Sequence, residues 1–136
     1  MKAGAKEFAN QELSFHWTIE EACRREAYDV LLLSGVIQCL PDPLSFLDSV
    51  IKRGIPSIIL DRTPFMVDGV ARLTVQHVPE WIYPASYPAW FFSEAELLAR
   101  FAQNYDLIAT WPALDRLHPE GGRAEYKGFL FELKKD

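Results

Sequence analysis

An open α/β sheet with mixed parallel and antiparallel strands is the fold class this sequence predicts, and three observations predict it. Tyr28 to Thr63 reads strand, turn, helix, turn, strand, the pattern of one right-handed βαβ unit. Tyr105 to Trp111 and Tyr126 to Leu133 are strand-like runs separated by a loop holding Pro119, Gly121 and Gly122, so they should pair as antiparallel neighbours at one sheet edge. No internal repeat, low-complexity run or linker interrupts the 136 residues, so 1–136 reads as a single domain.

Taken in order, Met1 to Asn10 sets Ala3, Ala5, Phe8 and Ala9 among Lys and Glu and reads as a short helix or the end of one. Leu13 to Trp17 alternates apolar and polar residues, the period of a half-buried strand, with His16 on the polar side facing solvent. Thr18 and Glu21 form a capping box that opens a helix to about Glu26. Val30 to Leu33 is a continuous apolar run, suited to a strand buried on both faces. Asp42 before Pro43 is the cap-then-proline order that starts a helix; Leu44, Leu47, Val50 and Ile51 give it one apolar face, and Gly54 suits a left-handed stop. Ser57 to Leu60 is a second apolar strand. Pro64 to Trp90 reads as a long irregular connection, rich in Pro and aromatics, with a short strand at Leu73 to Val78; its composition suits a lid or one wall of a pocket. Ser93 and Glu96 make a second capping box with Phe92 and Leu97 as its hydrophobic staple, and Leu97, Leu98, Phe101 and Ala102 form the buried face of that helix.

Composition narrows the function classes. Hydrophobic residues are 49% and charged residues 24%, an ordinary globular balance rather than a disordered one. A net charge of −5 argues against a nucleic-acid partner, since phosphate binding needs clustered Lys and Arg, and the Lys134-Lys135 tail reads as merely solvated. No apolar run approaches a membrane span and no signal-peptide core opens the chain, so no membrane is expected. Cys23 and Cys39 lack metal or redox spacing and read as buried thiols in a reducing compartment, which favours the cytoplasm. The three histidines show no metal-binding spacing, so no metal is expected.

The phrase YDVLLLSGVIQCLPDPLSFLD resembles the fourth strand and following helix of class I S-adenosylmethionine-dependent methyltransferases. With IILDRTPF, LTVQHVP, IYPASYPAWFFS and the late GFLF in the same order, most of the chain resembles one family of methyltransferase-like proteins of unassigned substrate. The resemblance implies a truncated, Rossmann-like methyltransferase sheet: Leu13 to Trp17 as the third strand, the βαβ unit as the fourth and fifth, and a C-terminal antiparallel pair as the sixth and seventh. In that family the cofactor sits on a glycine-rich turn after the first strand, where the backbone must approach it closely. Here Gly4 is isolated and Gly121-Gly122 has no strand–turn–helix context. The expectation is a shortened relative, a fragment or one piece of a split protein: no cofactor for this chain alone, and S-adenosylmethionine only if a complementing half is supplied. In the family sheet the first strand pairs with the fourth. Without it, Val30 to Leu33 becomes an apolar edge that needs a cover, either Leu13 to Trp17 or a second copy. A homodimer is therefore expected, with an exchanged N-terminal segment as one form.

Ligands of open α/β sheets bind outside the carboxyl ends of the strands, where Ser34 and Gln38 follow the first strand of the unit and Asp61 and Arg62 follow the second. Asp61-Arg62 reads as an acid facing substrate beside a guanidinium for an anionic group, or as a salt bridge that fixes the strand end. Gln76 and His77 lie in the long connection; His77 has the side chain for proton transfer near neutral pH, and a hydrogen-bonded structural histidine is the plainer alternative. Tyr83 and Tyr87, with Trp81 and Trp90, could stack on a planar ligand or form a local core. Glu20 and Glu21 read as solvated, and His118 falls in a loop. Two functions follow. One is a methyltransferase-like protein acting on a small or sugar-like acceptor, with Asp61 and His77 as candidate catalytic groups. The other is a non-catalytic α/β module acting through self-assembly or small-molecule binding.

Overall fold

The structure, a computed structural model, describes residues 2–116 and 119–135. The expected loop position of His118 lies outside the described residues. Among the described residues, six strands and two helices carry the central architecture. Strand β1 (Val30–Ser34) leads through a 3-10 turn (Ile37–Cys39) into α3 (Pro43–Ile51) and then β2 (Ser57–Met66). Strands β3 (Arg72–Val78) and β4 (Ala85–Phe91) form a hairpin, α4 (Glu94–Phe101) follows, and β5 (Tyr105–Pro112) and β6 (Ala124–Leu133) close the chain. Two short helices, α1 (Lys2–Glu7) and α2 (Ile19–Arg25), precede them.

The main sheet has the order β1-β2-β6-β5, with β1 parallel to β2 and β6 antiparallel to both of its neighbours. The mixed sheet and the C-terminal antiparallel pair are thus as the sequence predicts. Local signals explain the helices. Asp42 accepts the Ser45 N–H and Pro43 occupies the first turn of α3. Gly54 follows α3 with φ +64, a conformation that glycine adopts without a Cβ penalty. Ser93 accepts the Glu96 N–H at the start of α4, and the staple residues Phe92 and Leu97 are both buried. Thr18 caps α2 through the Glu21 N–H, while the Glu21 carboxylate accepts from Trp17 N–H.

Both central helices pack on the same sheet face. Leu47, Val50 and Ile51 of α3 and Leu97 and Phe101 of α4 meet Leu33, Ile58, Leu60, Phe129 and Phe131 in one cluster. Phe101 stacks on Phe131 with ring centroids 4.1 Å apart, and the buried Tyr105 hydroxyl donates to the Ile55 carbonyl at 2.9 Å. The registers Leu32↔Ile59 and Ile59↔Leu130 put Val30, Leu32, Ile59 and Leu130 on the opposite face. There Val30 is 51% and Leu32 60% exposed, so the run expected to be buried on both faces is buried on one.

Several expectations are corrected. Leu13 to Trp17 is not a strand and does not cover the β1 edge. Asn10 Oδ1 instead accepts the N–H groups of Glu12 and Leu13 in a turn, and Phe15 packs against Gly4 of α1, so the alternation serves local contacts. His16 is largely covered, with Ser14 Oγ 3.0 Å from its Nε2. The Pro64 to Trp90 connection is ordered: β2 continues to Met66, and the rest is mostly the β3–β4 hairpin. Pro64 fits inside β2 because β1 ends opposite Asp61 and the bridge that follows on that side uses the Pro64 carbonyl, which accepts the Phe92 N–H, and the Met66 N–H, so no N–H is needed from Pro64. Cys39 is exposed and Cys23 half-buried, so neither is a buried thiol. Glu20 is exposed, as expected, and pairs at the surface with Arg53 at 2.5 Å.

The helix–sheet contact is expected to carry much of the stability. Leu47→Ala, at a fully buried position, should lower it by about 2–5 kcal/mol, measured by urea unfolding.

Candidate functional site

A cleft opens where the pairing of β1 with β2 ends at Ser34 and Asp61, between the 3-10 turn and the inner face of the β3–β4 hairpin. Its volume is about 270 Å³, and Ser34, Gln38, Arg62, Gln76, Tyr87 and Tyr126 are among the residues that line it. Gly35 and Asp115 complete the polar part of the wall.

The strand ends give the cleft its floor. Gly35 turns the chain after β1 with φ +65, and its N–H donates to the Asp61 carbonyl at 2.9 Å. Asp61 is half-buried. Its Oδ2 accepts from Ser34 Oγ at 3.1 Å and its Oδ1 accepts from Trp111 Nε1 at 3.0 Å. Trp111 reaches Asp61 by lying across Gly128, its partner on β6, where any Cβ would collide with the indole. One carboxylate thereby ties β1, β2 and β5 together.

Arg62 is the one non-glycine residue with positive φ among the described residues, at +53. It sits in the register shift between Leu60 and Thr63 where β2 bulges against β6. The bulge turns neighbouring side chains apart. Asp61 stays with Ser34 and Trp111, while Arg62 swings outward to Asp115. Its Nε and Nη2 donate to the two carboxylate oxygens at 2.9 and 2.7 Å. This two-pronged bond raises the Arg62 pKa and holds Asp115 below the usual carboxylate range. The Asp61-Arg62 pair expected from the sequence is therefore two separate pairs, each with a different partner. The Arg62 carbonyl accepts from Gln38 Nε2 at 3.2 Å, and Gln38 Oε1 is covered with no hydrogen-bond partner.

Strand alternation sorts the remaining candidates. Thr74 and Gln76 of β3 and Tyr87 and Ala89 of β4 share the hairpin's inner face, and the Thr74 hydroxyl donates to the Ala89 carbonyl at 2.9 Å. His77, next to Gln76, lies on the outer face, exposed and away from the cleft. Tyr83 and Trp81 stand exposed in the hairpin turn. Trp90 lines a separate groove of about 320 Å³ with Pro43, Leu44 and Leu97. The structure thus gathers Ser34, Gln38, Arg62, Gln76 and Tyr87, sets Asp61 beneath them and leaves His77 and Tyr83 outside.

Among the wall residues that sequence reading missed are Asp115 and Tyr126. Asp115 lies in the loop after β5, with nothing local to mark it. Tyr126 follows from strand pairing, since it stands opposite Pro64, four residues beyond the Leu60 at which β2 was expected to end. Burial pushes the Tyr126 phenol up to about 12, so it stays protonated in ordinary buffers. No group of metal-ligating side chains occurs among the described residues.

Comparison with models of protein families, with curated proteins and with solved structures finds no match, so the cleft has to be interpreted from its own geometry.

Two outcomes are expected. Gly128→Ala should displace the indole from Asp61, cost about 1–3 kcal/mol in overpacking and move the Trp111 indole N–H resonance. Tyr126 should be the last phenol to ionise. Its folded pKa lies above the unfolded value of about 10, so the stability it contributes is complete below pH 10 and is lost as pH rises towards 12. Ultraviolet titration of wild type and Tyr126→Phe, with unfolding followed across that window, checks it.

Proposed function

We propose that this chain is a small-molecule-binding α/β module, the acceptor-side part of a methyltransferase-like fold, with its ligand in the cleft between Ser34, Arg62 and Tyr87. The observation that carries the reading is the convergence of polar side chains from five strands, the 3-10 turn and the loop after β5 on the end of the β1–β2 pairing. The backbone strain at Arg62 adds to it, since a sparsely populated conformation persists only where its surroundings hold it and such residues cluster at ligand sites. The methyltransferase part rests on the motifs YDVLLLSGVIQCLPDP and IILDRTPF, with support from a parallel pair at one sheet edge and an antiparallel pair at the other.

The cleft offers recognition more readily than catalysis. His77 is outside it, and Asp61, the other candidate base, already accepts hydrogen bonds from Ser34 and Trp111. Methyl transfer would therefore need a cofactor side that these residues do not supply, with S-adenosylmethionine held by a glycine-rich turn from elsewhere. Calorimetry with S-adenosylhomocysteine tests this. The chain alone is expected to give no binding heat at millimolar ligand, and micromolar binding would overturn the division of labour.

The open β1 edge favours a second element of the reading, a homodimer. The Asp29 carbonyl accepts from Ser57 N–H and Gly35 N–H reaches the Asp61 carbonyl, so the odd-numbered residues of this segment bond to β2. Val30, Leu32 and Ser34 turn their own backbone groups outward. A second copy pairing there would satisfy them and cover Leu32. Sedimentation should show a dimer at micromolar concentration and a folded monomer for Leu32→Lys. A wild-type monomer at that concentration would remove the homodimer from the reading.

A further inference from the structure

We propose that the cleft selects an uncharged, hydroxyl-bearing ring, of the size of one sugar unit, and discriminates against ligands carrying phosphate or carboxylate. This rests on the reading of the cleft as a ligand site and specifies what it takes.

Arg62 is the only cationic side chain on the wall, and Asp115 the only anionic one. They neutralise each other through a two-pronged bond, so the guanidinium is satisfied along its Nε–Nη2 edge and offers an anion only its Nη1 end, against the charge of Asp115. An incoming anion would have to displace Asp115 while Asp61 stands directly behind Ser34. Each carboxylate repels it. A cation meets the opposite difficulty, because Asp115 is occupied and Arg62 repels. Neither sign of ligand gains from the site.

The groups that remain are neutral and alternate between donor and acceptor. Ser34 Oγ gives its proton to Asp61 and keeps its lone pairs for a ligand donor. Tyr126 keeps its phenol proton, and Gln76 adds an amide. Gln38 Oε1, covered and without a partner, is satisfied when a ligand hydroxyl reaches it directly or through one water. Hydroxyl groups both donate and accept, which matches this mixture better than a one-sided ligand does. Tyr87 stands half-exposed at the rim and can cover the apolar face of a ring. The volume of about 270 Å³ lies just below the usual range for ligand pockets, room for one ring and not for a long chain.

The test uses the whole chain labelled with ¹⁵N. The probes are the methyl glycosides of glucose, galactose, mannose and N-acetylglucosamine, set against glucose 6-phosphate and glucuronate. At least one neutral glycoside should shift the Gln38 and Gln76 side-chain amides and the Trp111 indole N–H, saturating in the millimolar range, with both anions at least tenfold weaker. Tyr87→Ala should weaken the neutral ligand several-fold while the amide spectrum shows an intact fold. Asp115→Asn should free the guanidinium and raise affinity for glucose 6-phosphate at least fivefold. Anions that bind wild type as well as the glycosides do would overturn the neutral class and leave the cleft standing as a site. Failure of Asp115→Asn to gain affinity for the phosphate would overturn the charge argument. If no probe moves a cleft resonance, the ligand-site reading falls with the proposal.

Discussion

The Asp61 carboxylate holds the cleft end of this molecule together. It accepts one hydrogen bond from β1 through Ser34 and one from β5 through Trp111, and its own backbone carbonyl receives the Gly35 N–H. Between the donors lies β6, thinned at Gly128 so that the indole can cross it. A half-buried carboxylate is tolerated there because hydrogen bonds replace the water it gives up. With Asp61 held by Ser34 and Trp111 on the open face of the sheet, the bulge with its left-handed Arg62 turns the next side chain away from it. The Arg62–Asp115 pair then fixes the loop after β5 against the strand ends. The floor and one wall of the cleft thus share a cause.

Features written into neighbouring residues could be read from the sequence. Asp42-Pro43, Ser93 with Glu96, and Phe92 with Leu97 are interactions across a few residues, and each occurs in the structure. Features that depend on partners far along the chain could not. Leu13 to Trp17 has strand periodicity but no strand beside it, and periodicity does not supply a neighbour. The hairpin was obscured by Pro79, Pro84 and Pro88, which read as breakers although Pro79 and Pro84 lie in its turn and only Pro88 stands inside a strand, on a two-stranded ribbon where both strands are edges. For the cleft, the rule that ligands lie beyond parallel strand ends pointed to Ser34, Gln38 and Arg62. Asp115 was out of its reach, since its importance comes from a partner 53 residues away.

The sheet is finished on one face only. Parallel strands are ordinarily covered on both, because their connections lay helices across them, yet α3 and α4 share a side. Val30, Leu32, Ile59 and Leu130 form an apolar strip on the other side, reaching the open β1 edge. Edge and strip together are larger than either alone as a place for association. A partner that paired with β1 would also begin to cover the strip. The cleft opens beside this edge, since Ser34 and Gly35 belong to it, so anything that paired with β1 would come to lie next to the cleft.

That adjacency bears on why the charges of the site are closed on one another. A bare guanidinium at a strand end would attract any phosphate in solution, and a bare carboxylate any cation. Pairing them removes both attractions and leaves shape and hydrogen-bond pattern to discriminate. The geometry of Arg62 keeps the pair apart from Asp61: its φ of +53 aims the side chain outward, so the two carboxylates do not compete for one cation. Relaxing that residue to an ordinary strand conformation would remove the bulge and with it the divergence of the two side chains. The strained backbone is therefore the condition under which Asp61 can hold the strands together while Arg62 lines the cleft.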